Sequence, residues 1–255
     1  MSSLAERHNY IINKLKKEGH VNVVDLCTAL DVSSVTIRKD LKLLEDKDLL
    51  FRTHGGATLS NPYTVDRTVN EKEKIRSQEK SNIGIAAAKL IQPNDCILIA
   101  SGTTVVSLAK NIRPSGNLTV ITAALNVSIE LLHLPDVEVI QLGGPVRRSS
   151  SSVTGFYAEK VLDDFSCSKL FLGVDGIDLE FGLTTTNMME AQLNRKMIAA
   201  SQKTIVLADS SKFGKRGFGK ICGLEDIEEI ITDAGVSKHM VDTLNGMGIQ
   251  VTIAV

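Results

Sequence analysis

From residue 83 onward, brief apolar runs alternate with helical segments, and this alternation constrains the chain more than any other feature. The runs are Ile97-Leu98-Ile99-Ala100, Leu118-Thr119-Val120-Ile121, Val137-Glu138-Val139-Ile140, Leu170-Phe171-Leu172 and Thr204-Ile205-Val206-Leu207. Stretches of helical period at 105–112, 126–132 and 188–200 separate most of them. Strands that are apolar on both faces have to be covered on both, and helices alternating with strands do this around a parallel sheet. Val251-Thr252-Ile253-Ala254 is placed to close it. An open, mostly parallel α/β sheet is therefore expected over 81–255.

The first sixty residues follow a different pattern of three helices and a hairpin. Leu4, His8, Ile11, Ile12 and Leu15 recur at helical spacing, and Gly19 stands where that helix would stop. Asn22 can cap a short second helix with Leu26 and Leu30 facing inward. A tight turn at Asp31-Val32-Ser33 precedes a third helix, capped by Ser33 and running to about residue 47. Ile37, Leu41 and Leu44 form its buried stripe, while Val35, Lys39 and Lys42 point away and Arg38 flanks them. The run from Leu49 to Ala57 reads as a strand, a glycine turn and a returning strand. The expected division is a head at 1–58, a linker at 59–80 broken by Ser60-Asn61-Pro62, and the α/β domain at 81–255. The charged stretch beginning Glu71-Lys72-Glu73-Lys74 reads as the solvated face of a surface helix.

Bulk charge selects no partner. Lys and Arg total 29 against 30 Asp and Glu, and residues 1–80 carry only +2. Any nucleic-acid contact must therefore come from placed charges. The cysteines, Cys27, Cys96, Cys167 and Cys222, lie far apart without a C-x-x-C pair. This argues against a disulfide framework or zinc ribbon and fits a reducing cytoplasm. No apolar run reaches membrane-spanning length, and no metal or redox cofactor is indicated.

A short helix, a tight turn and a second helix with exposed bases make a helix-turn-helix, whose recognition helix fits a DNA major groove. Ser33, Ser34 and Thr36 at its start can donate to phosphates, Arg38, Lys39 and Lys42 face outward, and Arg52 and His54 lie on the hairpin as on a wing. Each strand of the sheet is followed by a polar loop, at the edge where open parallel sheets bind ligands. These loops are Ser101-Gly102-Thr103-Thr104, Gly143-Gly144-Pro145 with Arg147 and Arg148, Gly173-Val174-Asp175-Gly176, and Asp209-Ser210-Ser211-Lys212. Hydroxyls, glycines and helix-start amides suit a phosphate, Arg and Lys neutralise it, and Asp175 and Asp209 can accept from a polyol. A small phosphorylated sugar or similar polar anion is the ligand class that results.

Arg7-x-x-x-Ile11, Val32-Ser33-x-x-Thr36-Ile37-Arg38-Lys39-Asp40-Leu41 and Arg52-x-His54-Gly55-Gly56-Ala57 resemble the DeoR family of bacterial transcriptional regulators. The later segments GTT, LGG, GVDGID, Glu190 with Arg195, and DSSKFG resemble its sensor domain. That resemblance implies a winged helix-turn-helix followed by a Rossmann-like, ribose-5-phosphate isomerase-like domain that senses phosphorylated sugar intermediates. By matching motif it implies effector contacts at Gly102, Thr103, Thr104, Gly143, Gly144, Asp175, Glu190, Arg195 and Lys212, which join Ser101, Arg147 and Gly176 from the loops. Two positions depart from the family pattern: Ala100 stands for its usual Asp, and Ala123 for its usual Asn.

The expectation is a repressor of a carbohydrate operon that binds a double-stranded operator as a homo-oligomer and answers to a sugar phosphate. The alternative is a sugar-phosphate isomerase with an appended head, using Asp175, Glu190 and Lys212 for acid–base work.

Overall fold

The computed structural model describes residues 3–47, 49–53, 55–59 and 68–255. The chain divides into two compact units, Met1–Val65 and Asp66–Val255. In the first, helix α1 (Leu4–Glu18) is started by a reciprocal cap between Ser3 and Glu6 and ended by Gly19. Strand β1 (His20–Asn22) follows, then α2 (Val23–Leu30), α3 (Ser34–Glu45), β2 (Phe51–Thr53) and β3 (Gly56–Thr58). The three strands form one sheet in the order β1-β3-β2, antiparallel throughout. Ile11, Leu15, Leu26, Ile37, Leu41, Leu44 and Leu50 build its core.

One polar contact belongs to that core. Asp40 is almost wholly buried on α3 and receives Arg7 of α1 through two hydrogen bonds, Nε at 2.7 Å and Nη2 at 3.1 Å. The paired geometry ties α1 to α3 and satisfies a carboxylate that would otherwise be costly to bury. Both residues stand in the motif segments that pointed to the helix-turn-helix.

The second unit begins with α4 (Val69–Glu73) and α5 (Ser77–Ala88). Next come β4 (Cys96–Ile99), α6 (Thr103–Asn111), β5 (Leu118–Thr122), α7 (Leu125–Leu131), β6 (Val137–Gln141), the short β7 (Val146–Arg147) and β8 (Ser152–Val153), and α8 (Phe156–Leu162). The chain continues through β9 (Lys169–Gly173), β10 (Gly176–Asp178), β11 (Gly182–Thr185), α9 (Met188–Ala199), β12 (Thr204–Leu207), β13 (Gly219–Cys222), β14 (Glu229–Asp233), α10 (Lys238–Gly246) and β15 (Gln250–Ala254).

Seven strands make the main sheet, in the order β15-β14-β12-β9-β4-β5-β6, and every pairing is parallel. Side chains alternate across it as the period of a strand requires. Ile97, Ile99, Phe171, Ile205 and Leu207 pack on one face with Ile83 of α5 and Val105 and Leu108 of α6. Leu98, Leu170, Leu172 and Val206 pack on the other with Leu193 and Met197 of α9 and Leu244 of α10. Helices α5 and α6 approach closely: a Cβ added to Gly84 would overlap the backbone of Ser107.

The structure differs from the sequence expectation in several places, three of them in or next to the second unit. Strand β14 fills a position for which no strand was foreseen, since Glu229 and Asp233 flank only Ile230-Ile231-Thr232; β15, expected to close the sheet, pairs with it at the edge. Strands β10, β11 and β13 form a separate antiparallel sheet beyond β9, built from glycine-containing segments without a clear apolar run. The stretch assigned to a linker is divided. Residues 60–67, with Ser60-Asn61-Pro62, lie outside the described residues, whereas α4 and the start of α5 belong to the second unit. Among the described residues, no helix is long and apolar enough to cross a membrane.

Phe171 is fully buried near the middle of the sheet. Phe171→Ala is expected to lower the unfolding free energy by about 3–5 kcal/mol, from lost burial plus a residual cavity. A urea titration followed by circular dichroism should show the midpoint fall with little change in slope.

Candidate functional site

In the first unit, α3 presents its polar side as its spacing predicts. Ile37, Asp40, Leu41 and Leu44 are buried, and Ser34, Val35, Arg38, Lys39 and Lys42 are exposed. Ser33 caps the helix by accepting from the amide of Thr36, and its hydroxyl lies 3.0 Å from that of Thr36. Both hydroxyls thus take part in the cap, alongside any role towards a phosphate. Arg52 is held by Glu45, with its amide at 2.8 Å and its Nε at 2.7 Å from the two carboxylate oxygens. That pairing braces β2, the first hairpin strand, against the end of α3. His54 lies outside the described residues.

In the second unit, the polar loops gather at the carboxyl edge of the parallel sheet. Strand β4 leads through Ala100 and Ser101 to Gly102, whose φ of 135° suits glycine and which starts α6 without a side-chain cap. Thr103 and Thr104 form the first turn and are buried. Gly143 and Gly144 follow β6 and turn the chain into β7, which delivers Arg147. The guanidinium of Arg147 lies 2.7 Å from Glu190, in the first turn of α9. Glu190 also accepts from Ser101 and from Thr185, each at 3.3 Å.

Asp175, just past β9, is the centre of a second group. One carboxylate oxygen meets Lys72 at 2.9 Å and Lys212 at 3.7 Å. The other accepts from the hydroxyl of Thr185 and from the amide and hydroxyl of Thr186, at 3.2–3.3 Å. Burial alone would raise its pKa, but the two ammonium groups and the amide of Thr186 prevail and hold it at about 2. Thr185 touches both Asp175 and Glu190, so the two groups form one network. Gly176 follows at the start of β10, beneath the hydroxyl of Thr184 and the carbonyl of Lys215.

The third group joins the loops after β12 and β14 to the segment between α4 and α5. Asp233 accepts from the amide and hydroxyl of Ser210 at 2.6 and 2.9 Å, and Arg76 donates to the same hydroxyl at 2.9 Å. Arg76 also lies 3.8 Å from Asp209 and 3.5 Å from Asp233. Burial pushes the Asp233 carboxyl upward, yet these donors and Arg76 leave it below the usual carboxylate range. Arg76 adopts φ 53°, a left-handed conformation that L-residues rarely occupy. Lys80, one turn into α5, is buried and donates to the carbonyls of Lys72 and Ile75 at 2.5 and 2.6 Å. Burial lowers its pKa.

The structure therefore brings Ser101, Arg147, Asp175, Glu190 and Lys212 together, with Gly102, Thr103, Thr104, Gly143, Gly144 and Gly176 in the loops that carry or flank them. Arg195 lies apart from this group. It is exposed on α9 and donates to the carbonyl of Lys220 at 2.6 Å, because its position turns it towards β13 rather than the strand ends. Ala100 and Ala123 are enclosed in the core beside Leu98 and Ile121. Lys72, Arg76 and Lys80 were missed, having been read as part of a solvated charge run. No local pattern singles them out: Lys72 ends up on α4, Arg76 in the left-handed break before α5, 3.7 Å from Glu79, and Lys80 on α5. Among the described residues, no group of three His, Cys, Asp or Glu side chains is placed to hold a metal ion.

Sequence profiles match both units. The DeoR-like helix-turn-helix domain matches residues 7–62, and the DeoR C terminal sensor domain matches residues 75–234. A relative from Escherichia coli O157:H7, provisionally named an aga operon transcriptional repressor, is 37% identical over 99% of this chain and 95% of its own. The HTH-type transcriptional repressor GlcR of Bacillus subtilis is 32% identical over 97% of this chain and 95% of its own. Among solved structures, ribose 5-phosphate isomerase A from Methanocaldococcus jannaschii aligns over 54% of each chain at 13% identity, with a TM-score of 0.41.

Asp175 gives the site a defined pH response. Its pKa is lowered in the folded state, so its contribution is fully present above about pH 4 and is lost as pH falls towards 2. The stability difference between the wild type and Asp175→Asn should be about 2 kcal/mol near neutrality and should vanish towards pH 2. Urea unfolding at a series of pH values checks both sign and window.

Proposed function

We propose, for a chain that belongs to the DeoR family of transcriptional regulators, that it represses a carbohydrate operon in the cytoplasm and is controlled by a phosphorylated sugar. The reading of the effector rests chiefly on one observation: Asp175, mostly buried and ionised, sits between Lys72 and Lys212 at the sheet's carboxyl edge. A phosphate entering there meets two ammonium groups already gathered in a low-dielectric setting, with the start of α6 on a neighbouring strand. Asp175 and Glu190 can accept from sugar hydroxyls. The relatives' names, which include aga operon and GlcR repressors, support the carbohydrate assignment.

On this reading α3 enters the major groove, with Arg38 reaching a base edge or a phosphate and Lys39 and Lys42 meeting phosphates. Heads of this size read paired half-sites, so the working species is a homo-oligomer. The effector acts by its difference in affinity between the DNA-bound and free arrangements. A ligand that draws Lys72 away from Asp175 changes the anchoring of the segment that follows the head in sequence.

Two of the three groups named for the isomerase alternative, Asp175 and Glu190, are poorly placed for acid–base work. A carboxyl held at about 2 is a poor acid or base near neutrality. Glu190 is already committed to Arg147, Ser101 and Thr185.

Retention of sheared genomic DNA at physiological salt, followed by sequencing, should enrich a few fragments carrying repeated half-sites; uniform retention would overturn the reading. On such a fragment, Lys39→Ala should reduce the slope of log affinity against log salt by about one, and Arg38→Ala should weaken binding about 5- to 150-fold. In calorimetry, sugar phosphates but not the free sugars should bind, and Lys212→Ala should weaken that binding about tenfold or more. An equal response to the free sugars would remove the phosphate from the proposal.

A further inference from the structure

An exposed apolar collar borders the strand-end network. It consists of Val146, Phe156, Tyr157, Met188, Met189 and Phe218, each between 45 and 71% exposed. The rings of Phe156 and Tyr157 meet edge to face, 5.8 Å apart. Gly155, next to Phe156, sits against Met189 and against Pro145, the neighbour of Val146. Gly219, next to Phe218, lies against the carbonyl of Asn187, the residue before Met188. The six residues are thus one surface around the starts of α8 and α9. Val146 is followed in the chain by Arg147 and Met189 by Glu190, so the surface runs up to the ion pair those residues make.

We propose that a second copy of this chain seats on this collar. The proposal rests on the reading above that the working species is a homo-oligomer, and it assigns the surface. Size is the first argument. Aromatic side chains bury about 150–250 Å² each, so these six leave roughly 600 Å² in water, near the ~800 Å² per partner of a standard interface. A contiguous apolar patch of that size is at the upper limit for a surface that stays uncovered.

Charge is the second argument. The elements that carry the collar have no excess of either sign: Arg148, Lys160 and Lys196 stand with Glu159 and Asp163, and Lys160 and Lys196 both pair with Asp163 within the chain. A two-fold pairing repeats one patch on both sides, and a balanced patch can face its own copy without like-charge repulsion. A surface for nucleic acid or an anionic membrane would instead have a basic rim. Because the collar adjoins the Arg147–Glu190 pair, the second copy also covers that side of the effector site.

The test uses the full-length protein in analytical ultracentrifugation at micromolar concentration. Phe156→Glu with Tyr157→Glu changes only exposed side chains and should leave the far-ultraviolet circular dichroism spectrum unchanged. The wild type should sediment as a dimer or larger, and the double variant at half that mass or less. A control with Ile129→Glu and Leu132→Glu, an exposed apolar pair on α7, should keep the wild-type mass. Tyr157→Cys should form an intermolecular disulfide under mild oxidation, visible on a non-reducing gel. A monomeric wild type, or a double variant of undiminished mass, overturns the assignment. If the wild type still retains specific genomic fragments in either case, the regulatory reading survives and only the surface is wrong. Uniform DNA retention by a protein that dissociates as expected has the opposite meaning.

Discussion

A carboxylate that remains charged while mostly enclosed has to be surrounded by donors, and the carboxyl edge of the sheet is arranged around that requirement at Asp175. Two lysines from distant parts of the chain, two threonine hydroxyls and an amide converge on it. Satisfying them fixes the turn after β9, the entry to α9 and the loop after β12. It also recruits α4, which has little apolar surface of its own and is fastened mainly by Lys72 and by the Val69 amide to the Ser149 carbonyl. The polar network therefore does for this edge what the hydrophobic layers do for the body of the sheet.

Those layers were legible because both-face burial leaves near-continuous apolar runs, and six of the seven parallel strands, β15 among them, were read from such runs. Strand β14 escaped because Glu229 and Asp233 shorten its run, and Asp233 is needed at its end to receive Ser210. The side sheet of β10, β11 and β13 escaped for a related reason. Its glycines serve close approaches, such as Gly176 against Lys215 and Thr184, and provide no period. In the first unit, β1 has only three residues between two helices, too few for a pattern.

Site residues were legible where a loop followed a recognisable strand, as with Ser101, Asp175 and Lys212. They were not legible where the contact depends on a tertiary fold-back. Lys72 and Arg76 stand among alternating acids, and such runs are usually solvated. Only the closure of α4 and α5 over the strand ends distinguishes them. Arg195, implied by the family resemblance, shares α9 with Glu190, but its side chain reaches β13. The profile for the sensor domain begins at residue 75, so Lys72 also lies ahead of the part a family comparison reports.

The contact at Gly84 has a mechanical consequence. Where two helices meet through side chains, small shifts are absorbed by rotamer changes; where main chain rests on main chain, nothing compliant lies between. Helices α5 and α6 meet in the second way, at Gly84 and Ser107. They are in effect one rigid plank, with Thr103 at one end of α6 and Arg76 immediately before α5. A displacement imposed where α6 begins therefore meets, at Gly84, a main-chain contact with α5 instead of a layer of side chains.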